Sequence, residues 1–259
     1  MRPWALVTGA SSGIGRELAL LAAADGHDLV LVARSAEALA RLAESLQSRH
    51  ACAVLVLPLD LASRESADLL ADMLAARGIV PAFFANNAGV GAWGLHSELA
   101  VTAEQEILDL NIVTATRLLK RLLPAMLARG SGRILNVAST AAFQAGPRMA
   151  VYAASKAYLL HYSEAVAVEL AGTGVTLTAL CPGPTPTEFQ ARAGLPATRL
   201  LRRLLPPSDA AWVARAGYAA AQRGRRVLIP GFVNRVLVNA VRWLPRRWAN
   251  AVLARANAA

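Results

Sequence analysis

The sequence predicts a single α/β domain built on a doubly wound, parallel, Rossmann-like sheet. Short apolar runs typical of buried strands alternate with amphipathic segments typical of helices, and no linker interrupts them. A glycine-rich turn, 9–15, lies between the first apolar run and the first helical pattern. With 259 residues, 55% hydrophobic and 17% charged, the chain is long and apolar enough for one large core, which excludes disorder.

The elements follow in order from these patterns. Strands are expected where short apolar runs end at turn residues: 4–8, 28–33, 53–57, 82–85, 133–138, 175–180 and 227–230. Helices are expected where apolar residues recur at helical spacing: 16–24, 36–48, 64–76, 104–129, 152–171, 209–222 and 232–258. The segment 104–129 is either one long helix or two abutting ones, and the last segment is broken at Pro245. The predicted main domain spans 1–231, including an arginine-rich lid at about 187–207. Residues 232–259 are predicted to be a basic, amphipathic helical extension.

Composition limits location and partners. The chain shows no signal sequence and no apolar run of about 18 residues, so neither secretion nor a spanning helix is expected. Cys52 and Cys181 are expected to be small core residues rather than a disulfide, metal ligands or a nucleophile, and no metal is expected. A reducing cytoplasmic location fits this cysteine usage.

The net charge of +10 lies in the last quarter of the chain. Residues 192–259 contain 13 arginines and a single acid, Asp209, which gives +12, whereas residues 1–191 carry −2. Such a basic end suits anionic lipid, an acidic carrier protein or nucleic acid, or is a solvated face. The sequence contains no basic-aromatic nucleic-acid module, so nucleic acid is not expected as a partner.

The glycine turn indicates a pyrophosphate site. Gly9 and Gly13 permit backbone angles closed to other residues, and the first N–H groups of the following helix attract an anion. The predicted contacts to the cofactor here are Gly9, Ser11, Ser12, Gly13, Ile14 and Gly15. The alternative is an ordinary glycine-rich turn, but the position after the first strand of an α/β chain favours a dinucleotide.

The end of the second strand favours NADP over NAD. An acid there would bind the ribose 2′-hydroxyl, whereas this chain has Ala33 and then Arg34, which can pair bidentately with a 2′-phosphate. Ser35 can add a hydroxyl. The alternative for Arg34 is a solvated loop residue. Asp60 either holds the adenine amino group or only shapes its turn.

Further polar residues follow later strands. Asn87, Ala88 and Gly89 end the fourth strand with room for a flat ring, although a simple turn is the alternative. Asn111 lies inside a helical pattern that disfavours asparagine, so it either faces solvent or serves a purpose there. Ser139 follows the fifth strand, at the edge where ligands bind to open parallel sheets.

Tyr152 and Lys156 are spaced i and i+4, on one helix face. A lysine cation at that distance is expected to lower the tyrosine pKa from about 10 toward neutrality, which suits a general acid/base. The alternative is a solvated Tyr-Lys pair. The loop after the sixth strand adds Pro182 and Gly183, and the hydroxyls of Thr185 and Thr187 can bind a carboxamide or phosphate.

With these motifs collected, residues 4–187 resemble the short-chain dehydrogenase/reductase family. The motifs fall in the family's order: Thr8-Gly9-x3-Gly13-Ile14-Gly15, Asn86-Asn87-Ala88-Gly89, Asn111, Ser139, Tyr152-x3-Lys156 and Pro182-Gly183. The resemblance implies a seven-stranded sheet in a homodimer or homotetramer built on the helices around Asn111 and Tyr152. It also implies proton exchange by Tyr152 and a carbonyl hydrogen bond from Ser139. The remaining implied roles are ribose binding by Lys156, a water relay at Asn111 and a carboxamide contact at Thr187.

The predicted function is NADP-dependent hydride transfer between nicotinamide and a carbonyl or secondary alcohol. The alternative is a catalytically silent NADP(H)-binding regulatory or scaffold protein. A third class, epimerases or dehydratases of nucleotide sugars, usually needs a larger substrate region than the 77 residues after Pro182. An apolar small-molecule substrate is expected from the predicted pocket wall: Val90, Trp93, Phe143, Met149, Phe189 and Leu195.

The C-terminal segment carries an apolar stripe opposite arginines. The stripe consists of Val233, Val236, Leu237, Ala240, Val241 and Leu244, and the opposite side of Arg235, Asn239, Arg242 and Arg246. Beyond Pro245, a second short face holds Trp248, Ala251 and Val252, with Arg247 and Arg255 beside it. The helix is expected either to pack on its own domain or a second subunit, or to contact an anionic membrane, where Trp243 and Trp248 suit the headgroup zone.

Overall fold

The computed structural model describes residues 2–195 and 208–243, and also 247, 248, 250, 251 and 254. In this part of the chain, seven parallel strands form one sheet in the order β3-β2-β1-β4-β5-β6-β7. They are β1 (Trp4–Thr8), β2 (Asp28–Ala33), β3 (Val54–Pro58), β4 (Pro81–Asn86), β5 (Gly132–Val137), β6 (Val175–Leu180) and β7 (Val227–Leu228). The predicted doubly wound fold is confirmed. The strand order reverses between β1 and β4, where α/β sheets open a crevice for ligands.

Helices cover both faces of the sheet. They are α1 (Gly13–Ala24), α2 (Ala36–His50), α3 (Ser66–Ala75), α4 (Val101–Leu108), α5 (Ala115–Arg129), α6 (Ala150–Glu169), α7 (Glu188–Arg192), α8 (Ala210–Gln222) and α9 (Phe232–Trp243). Leu18, Leu39 and Val213 bring α1, α2 and α8 into one core. Leu70 and Leu118 bring α3 and α5 into a second core on the opposite face. Both cores are needed because strands of a parallel sheet are apolar on both faces.

The predicted helix 104–129 is two helices joined by a wider turn. Residues Asp109–Thr114 form a π-helical segment between α4 and α5. Asn111 lies in this segment and is 1% exposed, so the solvent-facing alternative is wrong. Such π turns break the regular ladder of helix hydrogen bonds and are frequent at functional sites.

The two cysteines are buried and free, which confirms their predicted role as core residues. Of the predicted lid, the structure describes α7 and residues 193–195, whereas residues 196–207, with Leu200, Leu201, Leu204 and Leu205, lie outside the described residues. The predicted last strand, 227–230, is shortened to the two residues of β7.

Helix α9 turns the described part of its apolar stripe to solvent. Asn234 and Val238 are buried, but Val233, Val236 and Leu237 are exposed. Packing of this stripe on its own domain is therefore wrong for these three residues. The side chains of 241–243 lie outside the described residues, as do Leu244, Pro245, Arg246, Val252 and Arg255 entirely. Within the described ranges, none of the helices combines the length and apolarity that a bilayer crossing requires.

Candidate active site

A cleft of about 720 Å³ opens along the carboxyl ends of the strands. Most of the predicted site residues line it: Gly9, Ser11, Ser12, Gly13, Ile14, Arg34, Asn87, Ala88, Gly89, Ser139, Tyr152, Lys156, Pro182, Gly183, Thr185 and Thr187. The lining does not include Gly15, Asp60 or Asn111. The sheet topology thus brings together motifs that are up to 178 positions apart in the chain.

The glycine turn is tightly packed against the end of β4. Gly9 has a φ of +65°, in the left-handed region that favours glycine. A Cβ on Gly15 would overlap the carbonyl oxygen of Gly9, so glycine there allows α1 to approach β1 closely. The Asn87 amide donates to the carbonyl oxygens of Thr8 (2.9 Å) and Gly9 (3.3 Å). These contacts fix the turn that precedes α1.

The N-terminus of α1 faces the cleft. Ser12 is the N-cap residue, and its side chain makes no capping hydrogen bond. Ser12 and Gly13 both line the cleft. First-turn N–H groups and the positive end of the helix dipole favour an anion at such a position. The shape and polarity of the turn therefore fit the pyrophosphate of a dinucleotide.

Arg34 is paired in the structure. Its Nη1 lies 3.0 Å from Oε1 of Glu106 on α4, and both residues line the cleft. The Ser35 hydroxyl accepts a hydrogen bond from the backbone N–H of Ala38 and caps α2. The sequence contained no signal for Glu106, because an acid on an amphipathic helix is typical of a solvated face.

Asp60 shapes its own turn. A carboxylate oxygen accepts the backbone N–H of Ala62 at 3.0 Å, and the backbone carbonyl accepts that of Ser63. The side chain is exposed and outside the cleft lining. The contacts agree with the turn-shaping alternative, and the adenine contact stays a prediction.

Three polar side chains meet at the floor of the cleft. Ser139 follows β5 and shares a hydrogen bond with Tyr152 of α6. One helical turn further along α6, Lys156 donates to the backbone carbonyl of Val137 at 2.9 Å, and its Nζ lies 5.8 Å from the centre of the Tyr152 ring. Tyr152 is 9% exposed and Lys156 is 4% exposed. The solvated Tyr-Lys pair is therefore wrong.

Burial shifts the pKa values of both Tyr152 and Lys156. It raises the pKa of the Tyr152 phenol to about 12, and the Ser139 hydrogen bond acts in the opposite direction. Burial also lowers the pKa of the Lys156 ammonium to about 8. The expected lowering of the tyrosine pKa by Lys156 is wrong for this structure, because removal from water penalises the phenolate more than its surroundings stabilise it.

Asn111 anchors the loop that follows Gly89. Its side-chain oxygen accepts the N–H of Val90 at 3.0 Å, and its amide donates to the carbonyl of Val90 at 2.9 Å. The amide also donates to Oγ of Ser155, which in turn donates to the backbone carbonyl of Tyr152. Asn111 therefore connects the π segment with Val90 in the cleft wall and, through Ser155, with the backbone of Tyr152 in α6.

The loop after β6 closes on two neighbouring segments. The carbonyl of Pro182 accepts the N–H of Thr140, next to Ser139. The Thr185 hydroxyl donates to the carbonyl of Gly183. A Cβ on Gly13 would touch the methyl group of Thr187, so this threonine lies directly beside the glycine turn. Residues 182–187 thereby line the same cleft as Asn87, Ala88 and Gly89.

An apolar wall continues from Tyr152 toward α7. Val90, Trp93, Met149, Phe189 and Leu195 line the cleft as predicted. The Phe189 ring lies 5.4 Å from the Tyr152 ring, and the N–H of Trp93 donates to the carbonyl of Ala193. The prediction for Phe143 is wrong, because this residue packs against the core around Ala138, Leu160 and Cys181.

Sequence reasoning missed several residues of the cleft. Gly91 packs closely against two aromatic rings, because a Cβ on it would meet Phe189 at 2.8 Å and Tyr152 at 3.2 Å. Gln144, Arg192 and Glu106 also line the cleft. None of them belongs to a motif. Glu106 lies on α4 and Arg192 on α7, whereas Gly91 lies in the loop after β4 and Gln144 in the segment after β5.

Comparisons with known proteins identify a matching family. The short chain dehydrogenase family model matches residues 3–196. The ketoacyl reductase HetN of Nostoc sp. is 36% identical over 180 residues, 69% of this chain and 62% of HetN. A very-long-chain 3-oxoacyl-CoA reductase of Aspergillus fumigatus is 33% identical over 177 residues, 67% of this chain and 51% of that protein. The match therefore spans about half to three-fifths of these relatives.

Among solved structures, a short-chain dehydrogenase from Sphingobium yanoikuyae in complex with NADPH superimposes with a TM-score of 0.82. The two sequences are 30% identical, and the superposition covers 98% of this chain and 93% of the other.

Proposed function

The chain belongs to the short-chain dehydrogenase family, and from that premise we propose that it is an NADPH-dependent oxidoreductase. Its substrate would be an apolar carbonyl compound or the corresponding secondary alcohol. The observation that carries the proposal is the meeting of Ser139, Tyr152 and Lys156 with the glycine turn in one cleft. A bound nicotinamide dinucleotide supplies the hydride for such a reaction.

In the proposed reaction, residues of the chain supply the proton that the substrate oxygen receives. Tyr152 donates its phenolic proton to the substrate oxygen, while Ser139 donates a hydrogen bond to the same oxygen and orients the carbonyl. A tyrosine pKa near 12 means that the phenol is protonated at neutral pH and can act as the acid in the reducing direction. Lys156, which also lines the cleft, is proposed to hold the ribose hydroxyls of the cofactor. The water relay at Asn111 stays a prediction.

The preference for NADPH rests on Arg34 and on the missing acid at Ala33. A charge-assisted phosphate contact is worth about 1.5–3 kcal/mol, so Arg34→Ala should weaken NADPH binding by about tenfold or more. NADH affinity should stay nearly unchanged. Titration of both cofactors by protein fluorescence measures this, and a wild-type protein that prefers NADH would contradict the assignment.

The apolar wall formed by Trp93, Met149, Phe189 and Leu195 favours an apolar substrate. Two relatives carry names of ketoacyl and 3-oxoacyl-CoA reductases, which favours acyl ketones within that class. A panel assay of NADPH oxidation with 3-oxoacyl thioesters, steroid ketones, short ketones and sugars tests the proposal. We expect turnover with the apolar members. NADPH binding without turnover of any member would instead favour a silent NADP(H)-binding protein.

We propose a homodimer or homotetramer built on α4, α5 and α6. Leu108, Tyr158 and Val168 expose apolar surface on these helices, and Val113 exposes it on the π segment between α4 and α5. The Tyr158 hydroxyl lies 3.1 Å from the Thr116 hydroxyl, so α5 and α6 present one continuous face. A second copy of the chain would remove this face from water.

We further propose that α9 contacts anionic membrane surfaces. Phe232 is 74% exposed, and Val233, Val236 and Leu237 extend its apolar face. Arg235 on the same helix is exposed, as are Arg247 and Trp248 after it. Apolar side chains beside arginines complement an interface of acyl chains and anionic headgroups.

A further inference from the structure

Glu106 has an unusual position among the acidic residues of the chain. Among the described residues that line the cleft it is the only carboxylate, whereas Arg34, Lys156 and Arg192 are cations. Helix α4 carries it to the end of β2, where its Oε1 lies 3.0 Å from Nη1 of Arg34. The two residues are 72 positions apart in sequence, so the contact depends on the tertiary fold.

We infer that Glu106 is a specificity-determining residue that competes with the cofactor 2′-phosphate for Arg34 and so weakens the preference for NADPH over NADH. This inference rests on the proposed function, in which Arg34 is the phosphate-binding residue. It concerns the strength of the preference, not its direction.

The chemistry of the pair supports competition. A guanidinium presents its donors in a fixed planar fork, and a phosphate uses two of them at once in the bidentate geometry. Glu106 already occupies Nη1, so a phosphate must either displace the carboxylate or accept a like charge beside it. The pair is partly exposed, with 51% of the Arg34 side chain and 37% of the Glu106 side chain accessible, so it is weak enough to exchange.

NADH meets no such conflict. Its adenosine ribose carries a 2′-hydroxyl, which can donate to a carboxylate. Glu106 is therefore compatible with a hydroxyl and opposed to a phosphate. The same side chain lowers the affinity for one cofactor and tolerates the other.

The decisive variant is Glu106→Gln, which keeps the length and one acceptor oxygen but removes the charge. We expect NADPH and 2′,5′-ADP to bind about three- to tenfold more tightly, and NADH affinity to change by less than about twofold. Fluorescence titration of the full chain measures the affinities for NADPH and NADH, and calorimetry measures the affinity for 2′,5′-ADP. The effect should shrink at high salt, because the pair is accessible to solvent ions.

Glu104→Gln is the matched control. Glu104 lies on the same helix and carries the same charge, but it contacts His96 and does not line the cleft. We expect no change in the affinity of any of the three ligands. A gain equal to that of Glu106→Gln would overturn the inference, since it would reflect only a change in net charge.

The double variant Arg34→Ala/Glu106→Gln tests whether Glu106 acts through Arg34. We expect the gain in NADPH affinity to be largely lost when Arg34 is absent. A full gain in the double variant would overturn competition for this guanidinium.

The measurements distinguish failure of the inference about Glu106 from failure of the proposed preference for NADPH. If Arg34→Ala weakens NADPH binding but Glu106→Gln does not strengthen it, the role of Glu106 is overturned and the proposed cofactor preference stands. If Arg34→Ala leaves NADPH affinity unchanged, the proposed preference itself fails, and the inference fails with it. Both readouts are binding measurements, so neither depends on identifying the substrate.

Discussion

Tyr152 and Lys156 show how burial changes the chemistry of a motif. On an exposed helix, the two side chains would keep their ordinary pKa values and interact weakly through water. In the cleft floor, desolvation raises the pKa of the phenol and lowers that of the ammonium. Both changes favour the neutral form, so the free protein holds a protonated phenol beside a cation that is costly to bury.

Tyr152→Phe should remove the exchangeable proton while it keeps the buried ring. We expect kcat to fall by about 10²- to 10⁴-fold with NADPH affinity nearly unchanged, as for loss of a general acid. Steady-state kinetics and fluorescence titration separate the two quantities. Tyr162→Phe, on the same helix but outside the cleft lining, is the control. Near wild-type turnover in Tyr152→Phe would exclude Tyr152 as the acid.

Lys156 should make stability depend on pH. Its pKa falls from 10.5 in the unfolded chain to about 8 in the folded protein, so between these values the unfolded state binds more protons. Folding therefore carries the full cost of the buried cation below about pH 8, and this cost disappears as the pH rises toward 10.5. Lys156→Met should raise the free energy of unfolding at pH 7, by on the order of 3 kcal/mol, and by much less near pH 10.

Urea unfolding at the two pH values measures this difference. Lys120→Met is the control, because Lys120 is the other lysine of the chain and is exposed on α5. If Lys156→Met raised the free energy of unfolding equally at both pH values, the predicted titration of the buried lysine would be wrong.

At the scale of elements, the site depends on two departures from regular structure. The turn from β1 to α1 needs glycine at Gly9 and Gly15, and the π segment between α4 and α5 turns Asn111 inward. The first lets the N-terminus of a helix meet the cleft, and the second fixes Val90 in the cleft wall. Both irregular segments bring backbone groups to the cleft: the first the N-terminus of α1, and the second the backbone of Val90.

Gly15→Ala should disrupt the turn, because its Cβ would overlap the backbone of Gly9, which cannot rotate away. We expect a loss of about 1–3 kcal/mol or more in the free energy of unfolding and weaker NADPH binding. Gly78→Ala is the control, with a φ of +65° and open space around its Cβ. It should cost about 1 kcal/mol through backbone strain and leave cofactor affinity unchanged. Equal effects of the two substitutions on NADPH binding would argue against the packed turn.

At the scale of the whole molecule, charge and exposed apolar surface coincide near the C-terminus. The basic excess of the chain lies in residues 192–259, and the apolar face of α9 points away from the body of the domain. Asn234 and Val238 hold the other side of α9 in place, and a Cβ on Gly183 would touch the Asn234 amide. The helix thus contacts the loop after β6 on one side and leaves exposed side chains on the other side for a partner surface.

Sedimentation with liposomes tests the proposed membrane contact. The full chain should bind vesicles with anionic lipid at low salt, and neither neutral vesicles nor anionic vesicles at high salt. Truncation before Phe232 should abolish binding. Because truncation can also expose Gly183, the full-length variant Val233→Ser/Val236→Ser/Leu237→Ser provides a second test at exposed positions. No binding by the full chain, with a changed oligomeric state in either variant, would make α9 a subunit contact.

The sequence determined the fold class, the glycine turn and the order of the motifs, because these depend on local patterns: strand and helix periodicity, turn residues and short spacings. It also placed Asn87 and Ser139 at one edge, since parallel strands end together, and it placed Tyr152 and Lys156 on one helix face, since they are four residues apart. The tertiary structure alone decided which distant residues meet. Glu106 reaches Arg34 across 72 residues, Phe143 packs against a core, and Val233, Val236 and Leu237 of α9 are exposed. It also decided the direction of the Tyr152 pKa shift, because desolvation depends on everything packed around a group and not on its neighbours in sequence.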